Sequence, residues 1–159
     1  MINKKYTYLL GSFLCLILAI GFIHIKTLTS KLHTIQERND LLYTESIHAI
    51  ANAMNYNYDN LAEDIRLYYF SQIYEPFHTI QTTYPYTSYY NKDTAYILDL
   101  TLNELKIYFN KQWLTDFKDY NETRLEVYNP LLEICLNPEK DENIYLLYKY
   151  LLKHNKQIL

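Results

Sequence analysis

The chain has 159 residues, which is enough for one modest domain together with a membrane-spanning segment. Its formal net charge is −3. Three of the 15 basic residues, Lys4, Lys5 and Lys26, flank an apolar N-terminal stretch, so the remainder carries 12 basic against 18 acidic residues. Nucleic-acid binding requires a surplus of cations to replace phosphate counterions, and this balance therefore predicts no such partner.

Composition also bears on the source and on catalysis. The chain contains 19 tyrosines but only 2 glycines. Abundant tyrosine with few glycines is typical of a genome poor in G and C, which indicates a low-GC bacterium or its phage as the source. The alternative is a tyrosine-rich binding surface. Both glycines, Gly11 and Gly21, lie in the apolar stretch, so the rest of the chain cannot form a glycine-rich phosphate loop or a nucleophile elbow.

Metal and nucleophile patterns are missing as well. The five histidines are scattered without metal-ligand spacing, and Cys135 lies between Ile134 and Leu136 in an apolar stretch typical of a core residue. Cys15 and Cys135 are far apart in sequence and in character, so we expect no disulfide. The sequence predicts a non-enzymatic protein with no cofactor, no metal and no small-molecule substrate.

The apolar N-terminal stretch, Tyr6 to Ile25, contains no Asp, Glu, Lys or Arg. As a helix, its 20 residues reach about 30 Å, the thickness of a bilayer's hydrocarbon core. We predict a transmembrane helix over 6–25 after a short cytoplasmic tail, 1–5. The alternative is a signal sequence cleaved after Gly21, although apolar residues continue past that point.

Orientation rests on a nearly even count of positive charges on the two sides of this stretch. Its similarity to an uncleaved signal sequence decides the prediction. We place the chain in the bacterial inner (cytoplasmic) membrane as a single-pass protein in contact with lipid. The N-terminus is expected in the cytoplasm, and the C-terminal domain in the periplasm or otherwise outside the cytoplasm.

Residues 26–58 are predicted to form a stalk helix that continues from the membrane. Apolar residues recur on one narrow stripe, with one asparagine among them. A narrow stripe of this kind favours a coiled-coil seam and a homo-oligomer, in which a buried Asn sets the register. The alternative, a stripe that packs on the protein's own domain, stays open. The candidate seam residues are Leu28, Leu32, Ile35, Asn39 and Leu42.

Residues 59–159 are predicted to form a small all-α domain. A helix that reaches Glu75 should end or bend at Pro76. Further on, apolar residues alternate from Tyr96 to Leu102, which is a strand period and favours a β-hairpin within 84–102. The same region also carries a longer helical stripe, capped by Asp93 or Thr94, and on length we favour the helix. The stripe consists of Leu98, Leu102, Leu105, Phe109 and Trp113.

The last predicted helix begins after a start signal at 137–142 that places acidic residues in its first turn. Its residues are apolar on nearly every face, which is typical of a helix buried in a core or against a partner. We favour its own core and keep the partner as the alternative. The residues concerned are Ile144, Tyr145, Leu147, Tyr148 and Leu151.

The layout of one anchor, one stalk and one small helical domain is similar to that of accessory subunits in secretion or conjugation complexes, in architecture and not in motif. We therefore expect a structural or assembly subunit of a bacterial trans-envelope complex that acts through contacts with other protein subunits. The alternative is a membrane-tethered binding protein, such as an immunity protein or a small sensor.

Overall fold

The computed structural model describes residues 4–56, 58, 61–114 and 120–156. All regular structure in these ranges is helical, which confirms the mainly α prediction. Part of the predicted tail (1–5) and the predicted start of the domain at 59 lie outside the described residues. The helices are α1 (Lys4–Met54), α2 (Glu63–Ser71), α3 (Tyr74–Thr83), a 3-10 turn (Tyr84–Tyr86), α4 (Lys92–Leu114), α5 (Tyr120–Leu136) and α6 (Asp141–Lys156).

The chain divides into two compact units, residues 1–37 and residues 38–159. Among the described residues of the first unit, α1 is the only element, and its large apolar side chains from Leu10 to Ile35 are exposed. The second unit has a core of its own, to which the last part of α1 contributes Tyr43, Ile47 and Ile50. The predicted stalk thus includes residues that are buried inside the domain.

The helix prediction for the region after residue 92 is confirmed, and the alternative hairpin over 84–102 is wrong. Residues 84–86 form a single 3-10 turn, and α4 runs from Lys92 to Leu114 without a strand. The helical stripe explains this result, because its members at three- and four-residue spacing are buried while Tyr96, a member of the alternating pattern, is exposed. The buried members are Leu98, Leu102, Leu105 and Phe109.

Pro76 does not end a helix. The break comes earlier, at Gln72 and Ile73, and Pro76 lies in the first turn of α3. A proline is tolerated there because the first N–H groups of a helix have no partner within the helix. The Ile73 side chain is buried at this break, so the chain changes direction without leaving the core.

The domain core is built mainly where α6 packs against α4 and α5. α6 contributes Ile144, Leu147 and Leu151, which are buried against the stripe of α4 and against Val127 of α5. On α4, Phe109 lies edge-on to Phe70, with ring centroids 6.3 Å apart, and Trp113 lies 4.9 Å from the same Phe70 ring. The aromatic rings therefore join α2 to α4.

Side-chain hydrogen bonds fasten the helix ends. Asn91, and not Asp93 or Thr94, caps α4, because its Oδ1 accepts the N–H of Asp93 at 3.0 Å. At the end of α6, the ammonium group of Lys111 donates to the carbonyl oxygen of Asn155. The amide of Asn155 donates in turn to the Glu104 carbonyl oxygen at 2.9 Å and to its carboxylate at 2.6 Å. These bonds hold the C-terminal end of α6 on α4.

Candidate functional site

The first unit presents the largest apolar surface of the described residues. Its leucine, isoleucine and phenylalanine side chains are each at least half exposed from Leu10 to Ile35. Such residues gain about 1.5–3 kcal/mol each when they leave water, and here the chain itself does not cover them. This is also the one helix of the described residues that is long and apolar enough to cross a membrane.

The exposed apolar surface continues past Ile25, the end of the apolar stretch. Beyond Lys26, three apolar residues remain exposed: Leu28 at 52%, Leu32 at 66% and Ile35 at 57%. They lie after the first charged residue that follows the apolar stretch, and polar residues surround them in sequence.

The other two candidate seam residues have a different environment. Asn39 and Leu42 belong to the second unit, and both are half-buried there. The five residues of the predicted seam therefore divide into three exposed positions and two that the domain partly covers. Whether the exposed three form an oligomer seam stays a prediction.

Several polar side chains of the first unit bond along their own helix. The hydroxyls of Thr27, Thr29 and Thr34 donate to the carbonyl oxygens four residues earlier, at 2.9, 2.9 and 3.1 Å. His33 Nδ1 lies 3.3 Å from a carboxylate oxygen of Glu37 on the next turn. These contacts satisfy four of the polar side chains that follow the apolar stretch and one carboxylate without a residue from another helix.

The candidate residues of α6 also have different environments. Ile144, Leu147 and Leu151 are buried in the domain core, whereas Tyr145 is exposed and Tyr148 is half-buried. The neighbouring Leu146 is 59% exposed. The core side of α6 and its outward side are thus occupied by different members of the predicted set.

A shallow groove of about 520 Å³ lies between the last part of α1 and the end of α5. Cys135 and Leu132 form its apolar side, while Glu45 and His48 supply its polar groups. The remaining lining residues are Thr44, Tyr89, Leu136 and Pro138.

The chemistry of this groove is unsuited to a cysteine nucleophile. Burial raises the pKa of the Cys135 thiol, so at neutral pH it stays protonated. Its Sγ lies 3.5 Å from the carbonyl oxygen of Thr44, to which the thiol donates. His48 is paired with Asn52 on the next turn at 3.4 Å. Among the described residues, no group of three His, Cys, Asp or Glu side chains is placed to hold a metal ion.

A clamp of polar residues joins three elements of the domain. The Asp40 carboxylate accepts hydrogen bonds from the Ser88 backbone N–H at 2.6 Å and from its hydroxyl at 2.7 Å. Asn91 donates to the Asp141 carboxylate at 2.6 Å. The loop after the 3-10 turn is therefore held between α1 and the beginning of α6. Sequence reasoning missed this clamp because its partners lie 48 and 50 positions apart.

The domain also has an exposed patch, which lies on α2. Leu67 is 55% and Tyr68 is 59% exposed, and Tyr56 stacks on Tyr69 with ring centroids 4.1 Å apart. Other tyrosines lie in the core, among them Tyr43, Tyr58 and Tyr108. The tyrosine content thus supplies both core packing and exposed aromatic surface.

Comparison with known proteins finds no matching protein family, no matching curated protein and no matching solved structure.

Proposed function

We propose that this chain is a non-enzymatic, single-pass protein of a bacterial cytoplasmic membrane and a structural or assembly subunit of a trans-envelope complex, of the secretion or conjugation type. In this proposal the N-terminus lies in the cytoplasm, and the helical domain lies in the periplasm. The protein works through contacts with other proteins.

One observation carries the proposal: apolar residues stay exposed beyond the length that a membrane covers. Tyr6 to Ile25 already matches a hydrocarbon core of about 30 Å. Leu28, Leu32 and Ile35 follow it and are exposed in their unit, so lipid alone leaves them in contact with water. Contact with a protein buries them, and a subunit that is held at a membrane and packs beside others has this requirement.

The membrane assignment is tested first. A cleaved signal sequence also places an apolar stretch near the N-terminus, so the N-terminus of the mature protein decides between the two. We expect the mature protein to begin at Met1. A protein that begins at Phe22 would overturn the anchor. Reporters fused after Leu159 should be active on the periplasmic side only, and activity on the cytoplasmic side would reverse the orientation.

The assembly role is tested by size and by dependence. The full chain, expressed at its native level, is extracted in mild detergent and separated on a gradient with quantitative mass spectrometry. We expect envelope proteins to migrate with it at a fixed ratio, and we expect those proteins to lose their assembled form when the gene is deleted. A chain that migrates alone, with partners unchanged by deletion, would contradict the proposal.

The α2 surface favours a second candidate, a membrane-tethered binding protein such as an immunity protein. Leu67 and Tyr68 expose an aromatic and aliphatic patch of the kind that is enriched at protein interfaces. Replacement of both by serine tests it. If the chain protects against a toxin, the double variant should lose that protection. An unchanged envelope assembly in the same variant would then separate the two functions.

A further inference from the structure

The first unit of α1 carries a regular heptad pattern that extends well below the predicted stalk. Starting from Ile35 and moving toward the N-terminus, positions spaced alternately three and four residues apart form one continuous line. This spacing is that of the a and d positions in a coiled coil. The positions are Gly11, Leu14, Leu18, Gly21, Ile25, Leu28, Leu32 and Ile35. We call this line the α1 seam.

From Lys26 to Ile35, the seam holds every apolar residue. Between Lys26 and Ile35 the apolar residues are Leu28, Leu32 and Ile35, and all three are on the seam. The other seven positions in this range are Lys, Thr, Ser or His. Apolar residues confined to one line of a helix are typical of a face that packs against another surface.

Inside the apolar stretch, the seam holds both glycines of the chain. An interior glycine costs a helix about 1 kcal/mol relative to alanine, so its presence calls for a reason. No contact within the protein supplies one, because a Cβ placed on Gly11 or Gly21 would meet nothing within 4 Å. Small residues at the contact line of two membrane helices allow their backbones to approach closely.

We propose that the α1 seam is the contact line with a second copy of this chain, arranged in parallel from within the membrane to Ile35. The inference rests on the proposed function in taking Tyr6 to Ile25 as a membrane span. Copies inserted by the same route share one orientation, so identical seam residues come to the same depth without further adjustment. Glycine then meets glycine in the lipid, and Leu32 meets Leu32 above it.

The residues that flank the seam suit a second copy. In a parallel coiled-coil pair, the residue that precedes an a position on one helix lies near the residue that follows the next d position on the other helix. Lys31 of one copy therefore lies near Gln36 of the other, so no like charges meet. His33 and Glu37, which contact each other, fall on the outer side of the helix, away from the seam. Asn39 and Leu42 continue the spacing but are half-buried in the domain, so we end the seam at Ile35.

Cysteine cross-linking in native membranes tests the seam. In a full chain that carries Cys15→Ala and Cys135→Ala, single cysteines replace Leu28, Leu32 or Ile35 on the seam. Matched cysteines replace Ser30, Thr34 or Glu37 on the opposite side of the same turns. After mild oxidation, we expect disulfide-linked pairs at the three seam positions to exceed those at the three control positions several-fold. Equal cross-linking at all six, or a maximum at the control positions, would overturn the seam.

A second pair of variants tests its membrane part. Gly21→Leu puts a bulky side chain on the seam, whereas Ala19→Leu adds one two residues earlier and off the seam. Both variants keep the stretch apolar, so insertion is preserved. In the Leu28→Cys background, Gly21→Leu should lower the cross-linked fraction several-fold, and Ala19→Leu should leave it unchanged. Equal effects of the two would overturn the extension into the membrane.

The same membranes distinguish this inference from the proposed function. If seam cysteines fail to pair while the chain still migrates with envelope proteins, self-pairing is wrong and the assembly role stands. If they pair while the gradient shows only the pair, the seam stands and the assembly role is wrong.

Discussion

The two units of this protein use the same apolar residue types in opposite ways. In residues 10–35, leucine and isoleucine side chains are exposed. In residues 38–156, leucine and isoleucine from several helices bury one another, as Leu105 and Leu151 do at 0% exposure. The difference teaches that the domain buries its apolar residues in a core of its own, whereas the described apolar residues of the first unit have no such core. The following predictions test this contrast from the largest expected effect to the smallest.

The first prediction breaks the apolar unit alone. Replacement of both Leu16 and Ile20 by arginine places two charges in the middle of the stretch, at a cost of roughly 5–7 kcal/mol for insertion. We expect the double variant to be extracted from membranes by alkaline carbonate, while the wild type stays in the pellet. Double alanine replacement at the same two positions is the control and should remain in the pellet. Retention of the arginine variant would refute a lipid-embedded helix.

The second prediction compares one leucine from each unit. Leu105 is fully buried, so Leu105→Ala should lower the free energy of unfolding of the domain by about 3 kcal/mol. Leu32 is exposed, so Leu32→Ala should change the same quantity by less than about 0.5 kcal/mol. Trp113 is the single tryptophan of the chain and lies on Phe70, so its fluorescence during urea unfolding in detergent reports on the domain. Similar losses in the two variants would contradict the contrast.

The third prediction concerns alkaline pH and the domain only. Burial raises the pKa of Tyr108 from 10.0 to about 12, with a smaller opposing effect from its 2.7 Å hydrogen bond to Thr123. Because the folded pKa is the higher one, the protonated hydroxyl favours the folded state. This contribution is complete below pH 10 and falls by about 2–3 kcal/mol as the pH rises through 12.

The measurement is the urea midpoint of Trp113 fluorescence at pH 8 and above pH 11. Burial also raises the pKa values of Tyr43 and Tyr58, so the wild type should lose stability over this range for several tyrosines at once. Tyr108→Phe should lose less than the wild type between the two pH values. An equal loss in both proteins would show that Tyr108 does not contribute.

The fourth prediction sharpens the contrast near the beginning of the domain. Asp40→Ala removes the acceptor of two short hydrogen bonds from Ser88, which should cost about 1–2 kcal/mol of domain stability. Ser88→Ala removes only the hydroxyl donor and should cost less, since the backbone N–H still donates. Trp113 fluorescence again serves as the measure. If the two variants are equally stable, the backbone bond to Asp40 contributes nothing.

Sequence patterns predicted the helices well where one face carries a long stripe. Leu98, Leu102 and Leu105 favoured a helix over the shorter alternation around Tyr96, and α4 follows that stripe. The acidic start signal before the last helix is likewise matched, since Asp141 and Glu142 occupy the first turn of α6. Such signals are local, because each depends on residues within a few turns of one another.

Features that depend on distant residues were not predictable in the same way. The division of α1 between an exposed unit and a core-forming end follows from what surrounds Tyr43 and Ile50, and those neighbours come from later helices. The break at Gln72 contains no glycine or proline. The helix end was therefore predicted at Pro76, four residues too late. Of the candidate site, the exposed Leu28, Leu32 and Ile35 were named from spacing, whereas the Asp40 clamp has no local signal.

The threonine hydroxyls above the apolar stretch have a consequence for where the protein can reside. Thr27 and Thr29 already donate to carbonyl oxygens of their own helix, so they lose no hydrogen bond when they pass from water into the headgroup layer. One turn of helix, about 5.4 Å, can therefore enter or leave the interface at little cost to these groups. Bilayers that differ in thickness by that amount, including thicker and thinner patches of one cell's envelope, should accept the same helix without a change of sequence.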